Sequence, residues 1–183
     1  MKKIALTLTM VFLVAQLSTA QESKFFNSGK MIVGAQTGFS ALGLGYGANF
    51  EFGITKNIGI LPSFILHSYS TGMVDWSFKV ADLYGTYHYV PKDGFLFITP
   101  DKMDAYAMLG ISWVSFGAKS GSTSEETASN IAFGGGAGTR YYINNKISIY
   151  AEGKYRVATF KTQSYSLAIG WYSIYAGVNF AIN

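Results

Sequence analysis

In the segment Ile147 to Val157, ISIYAEGKYRV, the odd positions are Ile147, Ile149, Ala151, Gly153, Tyr155 and Val157, and the even positions are Ser148, Tyr150, Glu152, Lys154 and Arg156. Successive side chains on a strand point to opposite faces, so this stretch puts three charges on one face and none on the other. The same period-two pattern recurs along the chain. In Gly47 to Ile54, Ala48, Phe50, Phe52 and Ile54 alternate with Gly47, Asn49, Glu51 and Gly53. In Val80 to Tyr89, Ala81, Leu83, Gly85, Tyr87 and Tyr89 alternate with Val80, Asp82, Tyr84, Thr86 and His88. No long stretch carries apolar residues at helical spacing. Five further segments, Lys30 to Ser40, Ile58 to Tyr69, Ala105 to Gly117, Asn130 to Ile143 and Ser166 to Ile182, bring the expected strands to eight. In Ile58 to Tyr69 the contrast is weak, because Leu61 and Ile65 share a face with Ser63 and His67.

The segment ahead of the first strand is of another kind. Lys2 and Lys3 precede an apolar run from Ile4 to Leu17, which ends in Ser18, Thr19 and Ala20. A basic start, a short apolar core and small residues at the cleavage positions are the pattern of a secretory signal peptide, predicted here to be removed after Ala20. The run is short for a membrane helix, which needs about 20 residues. Residues 21–183 then form one domain. The formal charge of +4 includes the two signal lysines, which leaves too little basicity for nucleic-acid binding. There are no cysteines, so thiolate metal sites, thiol nucleophiles and lipidated-cysteine anchors are excluded.

Alternation alone does not say which face is inside; the residue types decide it. Charged residues are only 13% of the chain, against roughly 25% in soluble domains. The polar faces carry mainly Gly, Ser, Thr, Asn and Tyr, whereas strands turned to water would be rich in Lys and Glu. These faces are therefore expected to be enclosed, with the apolar faces toward lipid, as in an all-β, eight-stranded antiparallel up-and-down transmembrane β-barrel with both termini in the periplasm. Aromatic residues near the strand ends fit interfacial belts: Tyr69, Trp76, Trp113, Phe116, Phe160, Trp171 and Tyr172 toward one rim, and Tyr87, Tyr89, Tyr141 and Phe180 toward the other. The connections Thr55 to Asn57 and Asn144 to Lys146 read as tight turns, and Ser70 to Asp75 and Ala118 to Ser129 as longer outer loops. Val90 to Met103 breaks this rule: it is long and apolar where a short turn is expected, so either it folds as an amphipathic flap at the inner rim or the strand count is wrong there.

Eight strands enclose a lumen just wide enough for side chains to fill. Its expected charges are Glu51, Asp82 and Glu152 against Arg140, Lys154 and Arg156, three of each sign, as an enclosed network requires. Gly134, Gly136 and Gly138 leave room for rings such as Tyr84 or Tyr142. At the surface, Ser122, Thr123, Glu125 and Glu126 of the loop after the fifth strand are the candidate recognition residues.

No cofactor and no metal site is expected. His88 reads as a structural lumen residue, because a metal needs three or four converging donors. The glycine clusters miss the phosphate-binding spacing. His67, with Ser68, Ser70 and Asp75 nearby, raises the alternative of a lipid A deacylase or acyltransferase, but alternation sends Ser68 to the other face. A narrow gated channel is the third reading.

The signal peptide, the glycine-rich strand FGGGAGTRYYI (Phe133 to Ile143), the turn NNK, the strand ISIYAEGKYR and the Gly-Val-Asn-Phe terminal strand together resemble the small outer-membrane β-barrel domain family of OmpA/OmpX-like architecture, in its Bacteroidota-type versions. The resemblance implies that Glu152 and Arg156 are the interior carboxylate and guanidinium of the penultimate strand. It also implies location in the outer membrane of a Gram-negative cell, contact with its lipids and lipopolysaccharide, and insertion by the barrel-assembly machinery. A monomer with a structural or surface-interaction role, an extracellular partner at the long loops and no catalysis completes the expectation. The chain departs from the family at its end, where Ala181, Ile182 and Asn183 follow Phe180 in place of a terminal Phe.

Overall fold

The computed structural model describes residues 26–70, 72–89, 102–120, 126–161 and 166–182. They form eight strands: β1 (Met31–Ser40), β2 (Gly43–Gly53), β3 (Ile58–Ser70), β4 (Val74–Tyr89), β5 (Met103–Ser120), β6 (Glu126–Tyr142), β7 (Ile147–Lys161) and β8 (Ser166–Ala181). Each pairs antiparallel with its neighbour in sequence, and β1 pairs with β8, so the sheet closes on itself. Closure leaves no edge of unpaired backbone groups, the condition for crossing a bilayer with strands.

The weak alternation of β3 resolves simply. Leu61, Ser63, Ile65 and His67 are all buried, and Ile60 and Phe64 face outward. The lumen is therefore not polar throughout: Ile65, Val80, Val114, Ala132, Ala158, Trp171 and Tyr175 form an apolar layer inside it, toward the end opposite the chain termini. The outer face carries Val33, Phe50, Phe52, Phe64, Leu83, Leu109, Ile111, Phe133, Ile149 and Val178, all exposed. Such a surface is stable only against hydrocarbon.

The strands run further than the alternation alone suggests. The connection expected over Ser70 to Asp75 shrinks to residues 71–73, where Gly72 has φ +81. Most of Ala118 to Ser129 likewise belongs to β5 and β6. Of the expected surface residues, Glu126 begins β6, and Ser122, Thr123 and Glu125 lie outside the described residues. The expected flap also falls outside them over residues 90–101, and β5 begins at Met103. Because β5 and β6 have 18 and 17 residues against 10 in β1, the wall stands taller on one side of the far mouth.

The rim aromatics divide into two groups. Trp113 and Tyr172 face outward, as an interfacial belt requires. Trp171 does not: it is buried in the apolar layer, in phase with Ser173 and Tyr175. Tyr69, Trp76 and Phe116 also hold the inward phase of their strands, correcting their placement toward lipid. The chemical type of these rings suited a headgroup belt, but strand parity overrides it.

Candidate functional site

The lumen gathers the ionisable side chains into two linked clusters. Near the chain termini, β2, β4, β5 and β6 contribute inward residues at one level. Arg140 Nη2 donates to Glu51 Oε2 at 2.6 Å, and Arg140 Nη1 lies 3.6 Å from Asp104 Oδ2. His88 bridges the same two acids, with Nε2 2.8 Å from Glu51 Oε1 and Nδ1 2.8 Å from Asp104 Oδ2. With both carboxylates ionised, and so only accepting, the ring donates from each nitrogen as an imidazolium. Thr86 Oγ1 donates to Glu51 Oε1 at 2.8 Å. The ring of Phe26, ahead of β1, stacks on His88 at 3.6 Å with an interplanar angle of 12°, and Tyr106 covers His88 at 5.3 Å. Phe26 is fully buried and closes this end. Its segment is held by Gly29 N donating to Gly53 O and Ser28 Oγ donating to Ile54 O.

At mid-height, Arg156 grips Asp82 with two nitrogens, Nε to Oδ1 at 3.2 Å and Nη2 to Oδ2 at 2.7 Å. It also donates to Ser112 Oγ at 3.2 Å and Ser173 Oγ at 3.0 Å. Lys154 Nζ connects Asp82, at 3.3 Å, to Glu152, at 2.7 Å. Ser63 and Ser112 donate to the two oxygens of Asp82 at 2.9 and 2.6 Å. Tyr106 OH donates to Glu152 Oε2 at 3.0 Å and so joins the two clusters. This packing depends on Gly134, where a Cβ would lie 2.7 Å from the Tyr84 hydroxyl and 3.0 Å from Arg156 Cγ. Gly138 makes the same kind of room for the Tyr106 ring.

All six charges anticipated from the sequence are buried here: Glu51, Asp82, Arg140, Glu152, Lys154 and Arg156. Asp104 is a fourth buried acid, and His88 is the fourth cation that balances it. Asp104 is one residue ahead of the expected start of β5, although it continues the phase of Tyr106 and Met108. Phe26 lies outside every strand, and no periodic pattern points to it.

His67 is buried, but its surroundings are not those of a catalytic base. Ser68 and Ser70 are exposed, away from its side chain, and Asp75 is exposed too. The nearby hydroxyl is that of Ser40, 3.4 Å from Nδ1. Nδ1 also lies 3.1 Å from the Gly43 carbonyl, and Nε2 lies 3.1 Å from Tyr175 OH. A carbonyl can only accept, so Nδ1 carries the proton for that bond and offers Ser40 no lone pair, while Tyr175 occupies Nε2. The arrangement orients a ring and activates no nucleophile. Among the described residues no group of three or more His, Cys, Asp or Glu is arranged to hold a metal ion.

No protein-family model matches the chain, and no curated protein matches it in sequence. Solved structures do match in shape. The N-terminal β-barrel domain of OprF from Pseudomonas aeruginosa aligns with TM-score 0.62 at 16% identity, over 85% of this chain and 98% of that one. The chain has the fold of the small outer-membrane barrels. Neisserial surface protein A aligns with TM-score 0.59 at 14% identity, over 82% and 94% of the two chains. Ail, the attachment invasion locus protein of Yersinia pestis, aligns with TM-score 0.53 at 14% identity, over 85% and 99%. At such identities the likeness carries the architecture, and function has to be argued from the barrel's own residues.

Proposed function

We propose that the protein is exported by residues 1–20, loses them, and stands in the outer membrane of a Gram-negative cell as a monomeric barrel that presents a recognition surface and performs no catalysis. The observation that carries this reading is the packed polar lumen: among the described residues four buried acids are met by Arg140, Lys154, Arg156 and the His88 ring. Ions tied up in this way hold the wall together and leave no open path for solutes. The apolar belt supports contact with membrane lipid, including lipopolysaccharide in the outer leaflet, and insertion by the barrel-assembly machinery accounts for how such a belt reaches the membrane. Two of the similar folds are described as a surface protein and an attachment protein, which agrees with a recognition role at the far end. Ser122, Thr123, Glu125 and Glu126 remain candidates for an extracellular partner. Planar-bilayer recording tests the sealed lumen: the purified barrel is expected to give no steady openings, and reproducible ion-selective steps overturn the reading. Mass spectrometry of lipid A from cells with and without the protein tests the absence of catalysis. An acyl pattern that depends on His67 would move the protein to the enzymes.

A further inference from the structure

The rings turned inward at the far mouth have no lipid to face. Trp76 and Phe78 continue the inward phase of Val80 and Asp82 along β4, and the β4–β5 register is unbroken over their whole length. That register sets Phe78 beside Phe116, and the β3–β4 register sets Tyr69 beside Trp76. Ring centroids lie 5.1 Å apart for Trp76 and Phe116 and 5.0 Å apart for Phe78 and Phe116. Opposite them the β1–β2 turn bends over the lumen, made possible by Gly43 at φ +91, and Leu42 packs on the apolar layer. Ser40, Leu42, Gly43, Tyr69, Trp76 and Phe78 thus line a cavity of about 360 Å³ above that layer. Small-molecule sites run from roughly 300 to 1,000 Å³, so there is room for a ligand of one or two rings.

The chemistry of the walls narrows the ligand. Among the described residues no charged side chain lines the cavity. The charges nearest in sequence, Asp75, Lys79 and Lys119, are exposed and sit on the outward phase of β4 and β5. An ion would find no partner among these wall residues. Three aromatic rings form one side; the other offers the hydroxyl of Ser40, which accepts from Leu42 N at 3.0 Å and keeps its own O–H to donate. Half-buried rings clustered at a mouth are the kind of apolar patch that marks a binding site. A sugar ring has the matching two-sided character, with C–H bonds on its faces and hydroxyls around its rim. We propose that the far mouth binds an uncharged saccharide, with Trp76 and Phe78 stacking on the ring and Ser40 bonding a hydroxyl. This rests on the reading of the far end as a recognition surface.

The test uses the barrel in phosphatidylcholine nanodiscs, prepared without sugar detergents, on an array of neutral, sialylated and sulfated oligosaccharides. Neutral oligosaccharides are expected to be retained, and Trp76→Ala is expected to weaken retention at least tenfold. Trp113→Ala, on the outer face, is expected to leave it unchanged. Heat-modifiable electrophoretic migration confirms that each variant is folded. Retention of sulfated or sialylated glycans alone, retention of none, or equal retention by Trp76→Ala each overturns the proposal. Because the chain has no native cysteine, Ala41→Cys labelled on whole cells by an impermeant maleimide separately reports whether this mouth is at the cell surface. Failure of that labelling sinks the recognition reading, whatever the array shows.

Discussion

Arg156→Ala removes the most heavily bonded cation in the lumen. Its guanidinium makes two bonds to Asp82 and one each to Ser112 and Ser173, and the residue is fully buried. Breaking a buried pair from one side costs about 3 to 5 kcal/mol, because the other charge stays behind without its partner. Here the carboxylate is not left bare. Lys154 remains 3.3 Å from Asp82, and Ser63 and Ser112 still donate to it, which places the expected loss near the lower end, about 3 kcal/mol. A stranded charge also sets a second, sharper test. If the cost comes from a stranded charge, Arg156→Met combined with Asp82→Leu should be milder than Arg156→Ala, since both ions leave together and apolar volume replaces them. Urea unfolding from phosphatidylcholine vesicles, followed by tryptophan emission, measures both. A loss under about 1 kcal/mol for Arg156→Ala, or a double variant worse than the single one by more than the usual non-additivity of about 0.5 kcal/mol, refutes the charge-network account.

Three other substitutions probe separate parts of the lumen. His88→Gln leaves Asp104 with only the 3.6 Å approach of Arg140 and a 3.5 Å bond from Tyr142; it should cost about 3 kcal/mol in the same unfolding assay, with much of that recovered on adding Asp104→Asn. Gly134→Val forces a side chain against Tyr84 and Arg156 and should destabilise the barrel by about 1 to 3 kcal/mol, read as a lower temperature for the electrophoretic shift from folded to unfolded. Trp171 buries an indole N–H with no bonding partner, so Trp171→Phe trades lost volume against a removed desolvation penalty of about 1 to 3 kcal/mol and should shift stability by no more than about 1 kcal/mol.

The fold was legible because a barrel repeats one simple rule eight times. Strand count, antiparallel order and the inward face of β2, β4 and β7 follow from parity, and parity is visible wherever inside and outside differ in chemistry. The rule lost contrast where they do not. Leu61 and Ile65 point inward on β3 because the lumen contains an apolar layer, which a scheme of polar inside and greasy outside does not anticipate. Strand ends were harder still. Trp76 and Phe116 resemble belt residues in type, and only the continuous register shows that they face the mouth. Asp104 escaped by one residue at a boundary, and with it the need for a fourth cation. Phe26 was out of reach of pattern, since its burial depends on where a non-strand segment meets the floor of the finished barrel.

The two ends of the lumen are packed by different means, and that difference bears on the proposal that the barrel keeps solutes out. At the terminal end the Phe26 ring lies flat on the His88 ring, its segment held by backbone bonds to Gly53 of β2 and by the Ser28 hydroxyl, which donates to Ile54 O. Toward the far end the seal is part of the wall itself, the layer of Ile65, Val80, Val114, Ala132, Ala158, Trp171 and Tyr175. Between them every buried acid among the described residues has a cation within 4 Å, so these charges hold one another. Water admitted by the loss of one seal would still meet the other. Neither of the two alone carries the proposed seal, and the apolar layer also serves as floor to the mouth cavity above it.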